Sequence, residues 1–184
     1  MGILLGFAPF VVFAVLSRFV AASISLWAAA AISAVLILRQ KMRGASMKIL
    51  EIGTFLLFAV LGIYAAVKGG GWDIPMVRTV VDGGLLLIIL LSMLVRSPFT
   101  LQYAKEQVPA SVQSSPTFIK TNYILTAVWS LAMAILVVAD LAMHFLPNLP
   151  LRLEIVVMFA ALGAAFWFTK WYPAQLRKQG RGAS

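Results

Sequence analysis

The chain has no cysteine and one histidine, His144, and only 11% of its 184 residues are charged. Without cysteine there is no disulfide, no thiolate metal site and no thiol nucleophile. A single histidine cannot build a His-rich metal centre within one chain. The sequence also lacks a phosphate-binding loop, a zinc-type HExxH, a G-x-S-x-G elbow and a paired acid/base constellation. Gly69-Gly70-Gly71 has no Lys-Ser/Thr after it and reads as a turn, not a phosphate cradle. These absences assign no catalytic residue, cofactor or metal.

What is present is apolar. Hydrophobic residues make up 62% of the chain, whereas an ordinary soluble domain is about half apolar and about a quarter charged. A water-soluble fold of this size could not hide so many apolar side chains behind so few charges, and lipid is the solvent that accommodates them. The reading is a single integral membrane domain over residues 1–184, with no room for a soluble catalytic module beside it. The apolar start, with no basic residues ahead of it, speaks against a cleaved signal peptide. Gly6 stands where myristoylation needs Ser or Thr.

Six apolar segments lie at about 2–17, 19–38, 49–67, 79–95, 121–146 and 151–172. A membrane-crossing helix needs roughly 20 residues. The fold class is therefore all-α, a polytopic transmembrane bundle of five to six helices. The first segment is short, and Pro9 in its middle bends a helix, so it reads equally as a full span or as a re-entrant or interfacial helix. Ala28 to Ala31 with Ser33 and Ala34, and Ala160, Gly163, Ala164 and Ala165, offer small faces on which helices can approach closely. Trp27 and Trp129 lie mid-segment and read as packing residues.

The formal net charge of +9 does not indicate nucleic acid, because Lys and Arg occupy short gaps between apolar runs. Eleven of fifteen basic residues fall in the joint 39–48, the joint 96–120 and the tail. Only Arg18, Lys68, Arg78 and Arg152 fall in the alternate joints. The positive-inside rule then places 39–48, 96–120 and the C-terminus in the cytoplasm, and 68–78 and 147–151 outside. Tyr123, Trp171 and Tyr172 would sit at the inner interface, Tyr64 and Trp72 near the outer one.

Within the long joint, Ser97 can cap and Pro98 suits a first helical position, while Pro109 stops a helix. Residues 98–107 are predicted as a short interfacial helix, with Phe99 and Tyr103 sharing one face and Lys105 and Glu106 on the wet side. Pro109 to Pro116 reads as a flexible loop. Arg39, Lys41, Arg43, Phe99, Tyr103 and Lys105 are the candidates for partner or lipid contact.

Charges inside lipid are costly and often functional. Glu51, Asp82 and Glu154 are expected in the first turn or so of their helices, where the helix dipole favours an anion. Asp140 lies about 9 Å below the end of its segment, and His144 shares its face one turn on. Asp82, Asp140, His144 and Glu154 form a candidate intramembrane polar site; Asp140 is read either as a proton or ion site opening outward, shared with Asp82 and Glu154, or as an interhelical hydrogen bond or salt bridge to Arg78 or Arg152. Asp82-Gly83-Gly84 could mark a helix irregularity of the kind found at transporter sites.

Several short motifs recur in order: Phe7-Ala8-Pro9-Phe10-Val11-Val12-Phe13, a basic joint after the second segment, and Ser97-Pro98 after the fourth. Val108-Pro109, Lys120-Thr121-Asn122 and Leu146-Pro147 follow. This order resembles the intracellular septation protein A family of bacterial inner-membrane proteins. The resemblance implies a non-enzymatic protein of septation, cell division and envelope maintenance, touching membrane lipids and division or elongation proteins. The alternative is a small ion- or proton-coupled transporter using intramembrane carboxylates, with so few helices that it would work as a homodimer.

The topology has a direct check. Reporter fusions after Lys41 and after Arg177 should report the same side of the membrane; opposite sides would overturn the orientation.

Overall fold

A computed structural model describes residues 5–68, 74–146 and 148–181. The Gly69-Gly70-Gly71 turn, Trp72 and Pro147 lie outside the described residues. The described backbone is helical, with no strand. Hydrocarbon offers no partner to an exposed N–H or C=O, so a spanning chain must bond to itself, and the α-helix does so within one segment.

Chain order is α1 (Ala8–Leu16), α2 (Ala22–Met42), α3 (Ile49–Lys68), α4 (Ile74–Leu94), α5 (Phe99–Lys105), α6 (Ala110–Gln113), α7 (Pro116–Phe145) and α8 (Leu151–Arg181). Five of these, α2, α3, α4, α7 and α8, are long and apolar enough to cross a membrane. The molecule is a helical membrane bundle. Neighbours pack in the order α1–α2–α3–α4–α7–α8. The end carrying the joint 39–48 is called the basic end below, and the other the acidic end.

Within the described part of the first segment lies the nine-residue α1, about 14 Å long against a hydrocarbon core of about 30 Å. It is too short to span alone. Pro9 does not kink it but lies at its start, where a missing N–H leaves no hydrogen bond unmade. This half-helix brings aromatic rings into the bundle. Phe7 stacks on Trp129 at 4.8 Å between centroids and meets Phe99 edge-on at 6.0 Å, and Phe10 and Phe13 lie on Phe58 at 5.0 and 5.7 Å. Trp129 also donates its ring N–H to Thr169 Oγ1 at 3.0 Å, tying α7 to α8.

The spanning helices differ from their predicted bounds at their ends. α4 starts at Ile74, not at Thr79, because Pro75 is favoured in a first turn and one Arg at position 78 is tolerated near a helix end. α7 begins at Pro116, again with proline in the first turn. α8 runs on through the basic tail to Arg181 and past Pro173. Gly44 closes α2 with φ of +66°, and the Ala45 N–H bonds back to Gln40 O at 3.1 Å. The stretch read as a flexible loop contains a turn of helix, α6, which Gln113 fastens by donating to Lys105 O at 3.0 Å.

The small face of α2 packs inward as expected, with Ala29, Ala30 and Ser33 buried. On α8 the inward residues are Ala161 and Ala165, while Ala160, Gly163 and Ala164 face outward. The Gly83-Gly84 pair does not break α4. Gly84 is instead a close approach, since a Cβ there would run into the Leu57 methyls of α3. Gly84→Leu should therefore lower stability by about 1–3 kcal/mol through overpacking, read as a lower melting temperature in detergent; an unchanged melt would contradict this contact.

Candidate functional sites at the two ends of the bundle

At the basic end, α5 is held by three spanning helices. Its first N–H, on Phe99, donates to Ser92 Oγ of α4 at 3.0 Å. Thr100 Oγ1 lies 2.8 Å from both Asn122 O and Thr126 Oγ1 of α7. Gln102 Oε1 accepts the Ile49 N–H of α3 at 2.8 Å, and Gln102 Nε2 donates to Ser97 O at 2.7 Å. Ser97 is thus an acceptor for Gln102 rather than the cap of α5, which starts after Pro98 with no side-chain cap.

Phe99 and Tyr103, expected on a partner or lipid surface, are buried. Their shared face turns into the bundle, Phe99 edge-on to Phe7 and Trp129, and Tyr103 toward Glu51 and Lys48. The Tyr103 phenol donates to Glu51 Oε1 at 3.0 Å, and Gln40 Nε2 donates to the same oxygen. Burial, and then the adjacent Glu51 charge, hold the Tyr103 phenol well above its usual range. It donates a hydrogen bond and does not ionise at any pH a cell meets.

Lys48, one of the basic residues of the joint 39–48, is 2% exposed. Its Nζ lies 2.8 Å from Glu106 Oε1, donates to Gln40 Oε1 at 3.1 Å and sits 4.9 Å from the Tyr103 ring centroid. A buried ammonium persists only with such partners. Glu51 keeps its expected place at a helix start but is a buried acceptor. The one hint in the sequence was a Lys three residues ahead of a Glu at the mouth of an apolar run. Arg39, Lys41, Arg43 and Lys105 are exposed, as expected of contact residues. A cleft of about 160 Å³ opens beside them, lined by Arg39, Arg43, Lys48, Glu51 and Glu106 among others.

At the acidic end, the structure brings together carboxylates from three helices. Arg78 of α4 donates to Glu154 Oε1 of α8 at 2.6 Å, with both side chains largely buried. The sequence offered Arg78 as a partner for Asp140, whereas its guanidinium pairs with Glu154. Asp82 lies eight residues into α4, in its third turn, so it is not a helix-start carboxylate. The helix begins earlier than the apolar run does. The Asp82 carboxyl faces that of Asp140 on α7 within hydrogen-bonding reach, with Arg78 and Glu154 nearby. Asp140 is buried, and its Oδ2 has no hydrogen-bond partner among the described residues. His144 is exposed and meets Phe145 edge-on at 5.1 Å. Among the described residues no group of three His, Asp or Glu is placed to hold a metal ion.

Compared with known proteins, the chain matches no family model, no curated protein and no solved structure.

The basic-end network makes a graded prediction. Glu51→Leu leaves the Tyr103 hydroxyl and the Gln40 amide without an acceptor and should cost about 1–3 kcal/mol, whereas Glu51→Gln keeps a carbonyl acceptor and should cost less. Melting temperatures in detergent order the three proteins; both variants melting with the wild type would show that this acceptor does not matter.

Proposed function

We propose that this multi-pass protein resides in the bacterial inner membrane with its basic end and C-terminus in the cytoplasm. There it serves envelope maintenance, septation or cell division through protein and lipid contacts, without catalysing a reaction. The observation that carries this reading is α5, bonded to α3, α4 and α7 and so held as a fixed platform beside the exposed Arg39, Lys41, Arg43 and Lys105. A fixed array of cations at an inner interface attracts anionic lipid by about 1 kcal/mol per residue. It also presents a pre-ordered surface to an acidic partner, which has little ordering entropy left to lose on binding. The resemblance to the septation protein A family points the same way. Deleting the gene should alter cell length and raise sensitivity to osmotic stress. A copy carrying Arg39→Glu, Lys41→Glu and Arg43→Glu should reach the membrane yet fail to restore either trait. Normal morphology after deletion, or full rescue by the triple variant, would sink the proposal.

A second reading, a small proton-coupled carrier, is favoured by the meeting of Asp82, Asp140 and Glu154 at one end of the bundle. Proteoliposomes should then show a flux that Asp140→Asn abolishes. Equal flux in the variant, or none in either protein, removes this reading.

A further inference from the structure

Among the described residues, the four charged side chains that act on one another where α4, α7 and α8 meet do not balance. Arg78 spends its guanidinium on Glu154 at 2.6 Å. That leaves Asp82 and Asp140 facing each other, with no second cation among the groups that act on them. The charged groups around the pair are Arg78 on α4 and Glu154 on α8, and on α7 itself His144 lies one turn on and exposed. With every group ionised, three carboxylates would answer one guanidinium in a low-dielectric setting. Two like charges in contact there are strongly unfavourable.

Carboxylate oxygens are acceptors only, so two of them form a hydrogen bond only when a proton lies between them. Asp140 is 7% exposed, and its Oδ2 is buried with no donor among the described residues. A buried carboxylate oxygen without a donor costs free energy unless something fills the place. No third His, Asp or Glu completes a metal-ion shell among the described residues. Two carboxyl groups within hydrogen-bonding reach of each other are spaced for a proton between them.

We propose that Asp82 and Asp140 hold one exchangeable proton between them, forming a proton-binding site inside the membrane at the acidic end of the bundle. The site stands whichever reading of the protein's function is right. Its chemistry resembles that of carboxyl dyads in which one proton serves two groups because both cannot ionise. With the proton present, the pair is a hydrogen bond joining α4 to α7. Without it, the same pair is a repulsion that loosens the two helices at that end.

Infrared spectroscopy of the full chain in lipid nanodiscs tests this. The wild type at neutral pH should show a protonated-carboxyl C=O band that shifts on deuteration and disappears at alkaline pH. Asp82→Asn and Asp140→Asn should each lose the band, because the remaining carboxylate accepts from the amide that replaces its partner. That same amide bond supports folding of the variants, and a melting curve against pH gives a second measurement. Wild-type stability should fall as pH rises and the shared proton leaves, whereas the Asp82→Asn profile should be flat over the same range. No band in the wild type overturns the proposal. So does a band that survives in both Asn variants, which would then belong to Glu51, Asp73, Glu106 or Glu154. A wild-type melting curve with the same pH dependence as Asp82→Asn would overturn it as well.

Discussion

Hydrocarbon supplies no hydrogen-bond partner, and this constraint orders the whole molecule. The backbone meets it by coiling, and the polar side chains meet it locally. Ser33 donates to Ala29 O at 2.9 Å, Thr54 to Leu50 O at 2.6 Å, Ser130 to Thr126 O at 3.0 Å and Thr169 to Ala165 O at 2.8 Å. Each hydroxyl is satisfied one turn back on its own helix, which leaves it free to sit on a tightly packed face. Thr169 goes further and accepts the Trp129 ring N–H, so a locally satisfied hydroxyl also joins two helices.

The two ends of the bundle answer the same constraint differently. At the basic end, one carboxylate of α3 gathers donors from α2 and α5, and the buried Lys48 is paired, hydrogen-bonded and laid near an aromatic ring. A buried charge is tolerated there because every direction around it is occupied. At the acidic end the Arg78–Glu154 pair is complete. Asp140 keeps an oxygen with no donor, and it faces the Asp82 carboxyl. Saturated polar networks fix a structure, whereas an incomplete one is where a small ligand or a proton finds a place.

Packing between the spanning helices cannot draw on the hydrophobic effect, since lipid is as apolar as the side chains it would replace. Shape does the work instead. Gly84 lets α4 approach Leu57, Ala29 and Ala30 let α2 lie close to α3, and α1 fills the remaining space with Phe7, Phe10 and Phe13. α8 touches mainly α7 and offers Ala160, Gly163 and Ala164 outward.

The sequence by itself determined the class of the molecule, because long uncharged runs and sparse charge leave a helical membrane bundle as the one solvent-compatible outcome. It also marked Asp140 as unusual, since a carboxylate deep in an apolar run is visible in one dimension. Helix ends were less legible. α4 reaches back past Arg78 and α8 runs on through the tail, because a helix is limited by backbone bonding rather than by where hydropathy falls. The direction in which the short α5 faces could not be read either: a Phe99–Tyr103 stripe fits lipid and protein equally well, and contacts with Phe7, Trp129, Glu51 and Lys48 decided between them. Only the tertiary structure could bury Lys48, draw Gln40 and Tyr103 onto Glu51, and set Asp82 against Asp140. Those contacts, like the Arg78–Glu154 pair 76 positions apart, join residues distant in the chain, and no local pattern encodes which helices become neighbours.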